Sequence, residues 1–283
     1  MLRWKIGDVV VTRVLESENA SIGDFLLPQA TAEALASIPW LTPPFVDARG
    51  ALAFSFQAFL VESGGRRILV DTCVGNDKER PLPEWNKRSG PFPEDLARAG
   101  GRRESIDLVV CTHLHIDHVG WNTMLVAGRW VPTFPNARYL FVRGEWEHWK
   151  DQPEDLGPVI TDSVRPIVDA GMAELVEPDH PLTDEVRLEP TPGHTPGHVS
   201  VRIRSRGEEA VITGDVMHHP CQIARPDWSV VLDHDPAESR VSRRALLEGC
   251  AERGTLLIGT HFPAPTAGHV VRDGAGYRLE VER

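Results

Sequence analysis

Thr112-His113-Leu114-His115-Ile116-Asp117-His118-Val119-Gly120-Trp121-Asn122 is the stretch whose reading decides the fold. Four side chains able to hold a metal, His113, His115, Asp117 and His118, fall within six residues. They follow the apolar run 106–111 (IDLVVC), which reads as a buried strand. The cluster therefore sits where a strand ends in a loop, and side chains from one short segment can converge there. Imidazole and carboxylate both suit zinc, and one open catalytic zinc takes about three protein ligands. Four ligand-type residues imply a second metal.

Working outward, the chain supplies three more such residues in similar settings. His194 lies in the Gly/Pro turn 191–198 (TPGHTPGH), Asp215 ends the run 210–215 (AVITGD), and His261 ends the run 255–261 (TLLIGTH). The set has the form HxHxDH, then His, Asp and His.

That order and those settings resemble the metallo-β-lactamase superfamily of binuclear hydrolases, from about Val10 to His261. The resemblance implies an α+β fold, the αββα sandwich: two packed mixed β-sheets with helices outside. It implies that His113, His115 and His194 hold one metal, that Asp117, His118 and His261 hold the other, and that Asp215 bridges them. It also implies that Asp71, which ends the strand 67–72 (RILVDT), orients a metal-holding imidazole from behind. A hydroxide held between the metals would then be the nucleophile. Asp117 is a candidate proton carrier as well as a ligand. Zinc is the first expectation for the two divalent ions, and Mn2+, Fe2+ or Co2+ fit similar groups. His198 is expected to pack or to support the site from behind, and His148 to be no ligand.

Two details narrow the resemblance. The segment 214–222 (GDVMHHPCQ), followed by the Asp-rich loop 233–236 (DHDP) and a helix, is similar to the branch that contains methyl parathion hydrolase and its lactonase and esterase relatives. Acyl-homoserine lactonases of another branch carry a Tyr three residues after the bridging Asp, where this chain has His218. His218 is a candidate catalytic donor to a developing oxyanion; a structural role is the other reading.

The chain has 283 residues, 41% hydrophobic and 25% charged, an ordinary globular composition. Because the ligand-type residues run from 113 to 261 and must meet, residues 1–283 are expected to form one domain. The net charge of -11 disfavours a nucleic-acid partner. No run approaches transmembrane length, so no membrane partner is expected. Cys73, Cys111, Cys221 and Cys250 form no CxxC pair. Reduced thiols in a cytoplasmic protein are the expectation.

Residues 4–15, 52–61, 67–72, 106–111, 139–142, 173–176, 186–190, 198–204, 209–213 and 255–259 read as strands, and 270–282 as a hairpin through Asp273-Gly274. Helices are expected near 31–37, 94–100, 144–150, 158–170 and 236–253, the last burying Val241, Ala245, Leu246 and Cys250 on one face. The Pro-bearing segment 16–50 either covers the core or uses Phe25, Leu26, Trp40 and Phe45 as a substrate entrance or a homodimer contact. The Gly/Pro-rich loop 75–93 is a candidate rim. Trp40, Phe45, Trp85, Phe92 and Trp121 are candidate walls of a cavity suited to a small neutral or weakly polar substrate.

The leading expectation is a metal-dependent hydrolase of a lactone or carboxylic ester. An organophosphate or aryl phosphotriester hydrolase is the nearest alternative, with a β-lactamase or thioester hydrolase further off. A redox role is disfavoured, because His115 stands where di-iron relatives have Glu. A metal-binding protein without turnover is disfavoured by seven intact ligand positions.

Overall fold

A computed structural model describes residues 1–19, 22–47, 49–155, 157–274 and 276–281, so residues 20–21 and 48 of the 16–50 segment and residues 275 and 282 of the expected hairpin lie outside the described residues. Strands β1 (Arg3–Ile6), β2 (Val9–Asn19), β3 (Phe54–Ser63) and β4 (Arg66–Val70) form an antiparallel meander, extended in parallel by β5 (Leu108–Val110). A separate hairpin, β6 (Thr123–Val126) and β7 (Arg129–Pro132), follows. β8 (Arg138–Val142) and β9 (Ala173–Val176) complete a seven-stranded mixed sheet in the order β1-β2-β3-β4-β5-β8-β9. The second sheet has six strands in sequence order: β10 (Val186–Pro190), β11 (Val199–Ser205), β12 (Glu208–Ile212), β13 (Leu256–Ile258), β14 (Ala267–Asp273) and β15 (Gly276–Glu280). Only β12 and β13 run parallel in it.

The continuous apolar runs are explained by burial on both faces of the sheets. Alternate residues (Phe59, Val61; Ile68, Val70; Val110; Leu140) pack with Val199, Val201, Ile203 and Ile212 of the other sheet in one core. The intervening residues (Leu60, Leu69, Val109, Tyr139) join a second core under the helices. Two mixed sheets packed face to face with helices outside are the expected α+β sandwich.

Helix Pro236–Arg253 has the bounds its sequence predicts. Asp235 caps it by accepting from Ala237 N and Glu238 N, and Gly254 ends it at φ 65°. Its buried line differs from the expected one. Val241 is 67% exposed and Ala245 is exposed, whereas Ser239, Arg243, Leu246, Leu247 and Cys250 face inward. The apolar count missed this because the line is centred on an arginine. Buried Arg243 donates to the carbonyls of Val216, Pro226 and Trp228, which repays its desolvation. The β6–β7 hairpin had no counterpart in the sequence reading. Among the described residues, no helix is long and apolar enough to cross a membrane.

Candidate metal centre

β4, β5, β12 and β13 deliver Asp71, His113, Asp215 and His261 just past their last residues. Because β4 and β5, and β12 and β13, are parallel pairs, each pair ends on one side. The turn between β10 and β11 adds His194. This is the arrangement in which carboxyl ends of parallel strands build a site.

Three ligand-type sets converge there, the atoms of each within 4.8 Å of one another: His113, His115 and His194; Asp117, His118 and His261; and His113, His118 and Asp215. Asp215 stands between the first two sets. Its Oδ2 is 3.3 Å from His118 Nε2, 3.4 Å from His194 Nε2 and 3.7 Å from His113 Nε2, while its Oδ1 is 3.0 Å from His261 Nε2. All seven expected residues are therefore brought together. His218 joins them, its Nε2 3.0 Å from Asp215 Oδ2, in a fourth set with His194 and Asp215.

The imidazoles are oriented from behind. His118 Nδ1 donates to Asp71 Oδ2 at 2.9 Å, His194 Nδ1 to Asp233 Oδ1 at 3.0 Å, and His261 Nδ1 to the carbonyl of Ser55 at 3.0 Å. Carboxylates and carbonyls only accept, so each Nδ1 carries the proton and each Nε2 turns a lone pair inward. His118 Nε2 and His261 Nε2 then face each other at 3.2 Å. Two ring nitrogens so placed hold either a proton or the cation that displaces it between them. His113 Nε2 and Asp215 Oδ1, buried without hydrogen-bond partners, make the same demand. The donor set thus fits divalent metal.

Electrostatics divide the imidazoles into two groups. Burial, with neighbouring imidazoles, holds His113 and His115 well below the usual histidine range, and burial holds His194 there too, so all three are neutral, as ligation requires. Burial alone would lower His118 and His261 as well, but Asp215 and its companion carboxylates outweigh it and push both up. Asp215 is held well below the usual carboxylate range: burial opposes ionisation, and His118, His261, His218 and His113 together overcome it.

Asp71 sits where the resemblance placed it. It adopts φ 58°, tolerated by Asp, and accepts from Thr112 N at 2.8 Å as well as from His118. Thr112 Oγ1 links it to His113 Nδ1 at 3.1 Å. His198 points its Nε2 at the backbone N–H of Asp215 (2.7 Å) and its Nδ1 at the carbonyl of Thr191 (2.9 Å), so both nitrogens are spent on support. Gly214 passes so close that a Cβ would lie 2.6 Å from His198 Nε2, and its φ is 55°. His148 lies outside the cluster, against His234 and Trp149.

Two supporting residues escaped sequence reasoning. Buried Glu145 accepts from Leu114 N, Gly197 N and Trp149 Nε1, clamping both His-bearing loops together. Asp233 belongs to a loop whose composition was noticed without its role.

The centre forms the floor of a cavity of about 400 Å³, walled by Ile22, Phe25, Leu26, Phe54, Phe56 and Trp85 among others. Of the five expected aromatic walls, only Trp85 is one. Phe45 is core, and Trp40 lines a separate groove beside Trp228. Phe92 and Trp121 stack on each other at 5.6 Å, beneath the surface. Packing between helix Phe92–Arg98 and the metal loop uses those rings up. From the 16–50 segment, Phe25 and Leu26 do reach the cavity.

The chain is 28% identical over 169 residues to an N-acyl homoserine lactonase of Bacillus cereus, a match covering 54% of this chain and 60% of the relative. It is 38% identical over 63 residues to a UPF0173 metal-dependent hydrolase of Aeropyrum pernix, covering 22% of this chain and 19% of the relative. The matched stretch thus spans well under two thirds of these relatives' own length. Among solved structures, hydrolase AbOPH of the beta-lactamase superfamily superposes with a TM-score of 0.81 at 25% identity, covering 100% of this chain and 97% of that one. AidC, a dizinc quorum-quenching lactonase, superposes at 0.80 and 21% identity, covering 99% of this chain and 97% of that one. The profile of the metallo-beta-lactamase superfamily matches residues 57–249, the stretch that holds six of the seven convergent residues, and the chain belongs to that superfamily.

Proposed function

We propose that this protein is a binuclear metal-dependent hydrolase of a lactone or carboxylic ester with an apolar acyl group. The observation that carries the reading is the union of seven ligand-type side chains with an apolar cavity directly above them. In this reading His113, His115 and His194 hold one ion, Asp117, His118 and His261 hold the other, and Asp215 lies between. Divalent cations there, zinc first, supply Lewis-acid polarisation of a carbonyl and make water acidic enough to react near neutral pH.

The remaining steps belong to the chain's own residues. The apolar walls bind the acyl chain and exclude water from it. None of the cavity-lining residues among those described is Lys or Arg, so the pocket offers no side-chain countercharge to a substrate carboxylate. That supports a neutral substrate over a β-lactam or an anionic thioester. In this reading Asp117, which lines the cavity, carries a proton to the leaving oxygen. His218 lines the same cavity, and its buried Nδ1 has no protein partner. In this reading His218 donates a hydrogen bond to the substrate's carbonyl oxygen as charge develops. Having His218 three residues after Asp215 also favours a second reading, a neutral aryl phosphotriester, which the same walls, without Lys or Arg, accept.

Residues 1–283 are proposed to work as one domain, because the site draws on both sheets. A reducing compartment, the cytoplasm, suits four buried unpaired cysteines. A homodimer is proposed from the apolar rim, where Phe25, Val231 and Leu232 are 66%, 49% and 40% exposed. Light scattering should give twice the 31.4 kDa chain mass, and a monomer at micromolar concentration removes the idea.

The test is proton release in weak buffer by zinc-loaded protein, with and without chelator. The panel holds acyl-homoserine lactones, simple lactones, aryl esters, an aryl phosphotriester and a β-lactam. Chelator-sensitive release fastest on a lactone or ester is expected. Fastest release on the phosphotriester promotes the second reading, and silence across the panel sinks both.

A further inference from the structure

The two halves of the centre are braced differently, and the second brace has no counterpart in the seven-residue motif. On the His118 side, Asp71 accepts from the backbone and hydroxyl of Thr112. On the His194 side, Asp233 Oδ1 takes the Nδ1 proton, and Asp233 Oδ2 has no hydrogen-bond donor. Its counter-charge is Arg243 Nη2 at 3.8 Å, and both side chains are fully buried. Arg243 projects from helix Pro236–Arg253 and also donates through Nε to the carbonyl of Val216 at 2.8 Å. One guanidinium thus ties the loop bearing Asp215 and His218 to the loop bearing Asp233. The backbone adds to the grip: His234 N donates to His194 O at 3.0 Å and Asp235 N to Gly193 O at 2.8 Å.

We propose that Asp233, backed by Arg243, is a positioning residue for His194, so that the metal position formed by His113, His115 and His194 depends on an ion pair rooted in helix Pro236–Arg253. The inference rests on the binuclear reading above. A carboxylate behind a ligating imidazole fixes its tautomer and ring direction and raises its basicity, and loss of such a partner costs about 10–100-fold in metal affinity. The loss should fall on one of two metal equivalents, because His118 and His261 lean on Asp71 and Ser55 instead.

The experiment is competition titration of metal-free protein with Zn2+ against a chromophoric chelator. Wild type is compared with Asp233→Ala, Asp233→Asn, His194→Ala and the Asp233→Ala/His194→Ala double variant. Wild type should bind two equivalents. Asp233→Ala should keep one near wild-type affinity and bind the other about 10–100-fold more weakly. Asp233→Asn, which preserves shape and an acceptor oxygen, should fall between and guards against a folding defect in the alanine variant. In the His194→Ala background, Asp233→Ala should cost almost nothing further. A merely structural Asp233 would cost as much there as in wild type. Two wild-type affinities in Asp233→Ala, or an undiminished cost in the His194→Ala background, overturns the proposal. A wild type that binds fewer than two metals brings down the binuclear reading itself, and this inference with it.

Discussion

Asp215 is the one residue whose two oxygens reach both ligand sets, with five imidazole nitrogens between 3.0 and 3.7 Å of them. Removing it leaves those imidazoles to repel one another around any cation. Asp215→Ala should therefore lose both metal and turnover: metal analysis should find at most one ion per chain, with hydrolysis at background. Two bound ions with wild-type turnover would sink the bridging assignment. His218 makes a different prediction. As a donor to the oxyanion, its loss should lower kcat about 10²–10³-fold, with KM and metal content nearly unchanged. Metal lost together with activity in His218→Ala would make it a ligand instead. The seven convergent residues were legible because each stands in a short motif after an apolar run. The roles of Glu145 and Asp233 were not, and for His198 only a packing or supporting place was expected. Their partners lie 17 to 52 positions away in sequence, and only the folded chain brings those pairs together.

Strands were the easiest elements to foresee, since their doubly buried runs are apolar throughout; β9 and β10 have the bounds their sequences suggest. Helix Pro236–Arg253 was equally plain from its cap, its proline and its closing glycine. The loop 75–93 was recognised as a rim, but not what holds it. Lys78 and Arg80 run from this loop to Asp162: Arg80 Nη1 and Nη2 reach its two oxygens at 2.7 and 3.0 Å, and Lys78 Nζ lies 3.5 Å away. All three side chains are buried. Lys78 also stands over the Trp130 ring at 3.7 Å, which gives the unforeseen β6–β7 hairpin a task. Past this anchor, the same loop places Pro81, Leu82 and Trp85 on the cavity wall. Asp162→Asn strands the buried Arg80 guanidinium and removes the counter-charge of Lys78, whose pKa burial already lowers to about 7, a defect of about 3–5 kcal/mol. Thermal unfolding should show a Tm lower by on the order of 10 °C. A Tm within a degree of wild type would show that the cluster carries no stability.

Across the molecule, the two sheets place the ligand-type side chains and the long loops supply most of the cavity wall. That division explains why the fold family was readable and the cavity wall was not. Strand ends obey local patterning, whereas Ile22 and Phe25 at the helical turn Gly23–Leu26, Leu82 and Leu232 come from three separate segments whose meeting no periodicity encodes. Phe54 and Phe56, on β3, form the rigid side of the cavity. The loops complete it, Val231 N bonding Leu26 O at 3.1 Å to join two of them. If an acyl chain lies along this wall, each added methylene moves from water onto apolar surface, worth about 0.8 kcal/mol or roughly fourfold. Over a series of acyl-homoserine lactones of increasing chain length, kcat/KM should climb by up to about that factor per methylene. It should level off once the chain passes Phe25, which is 66% exposed and marks the mouth. Leu82→Trp, at a half-buried wall position, narrows the cavity and should move the plateau to a shorter chain while leaving the rates on the shortest substrates unchanged. A flat dependence on chain length in the wild type would place the acyl group outside this cavity and leave its apolar walls to the leaving group.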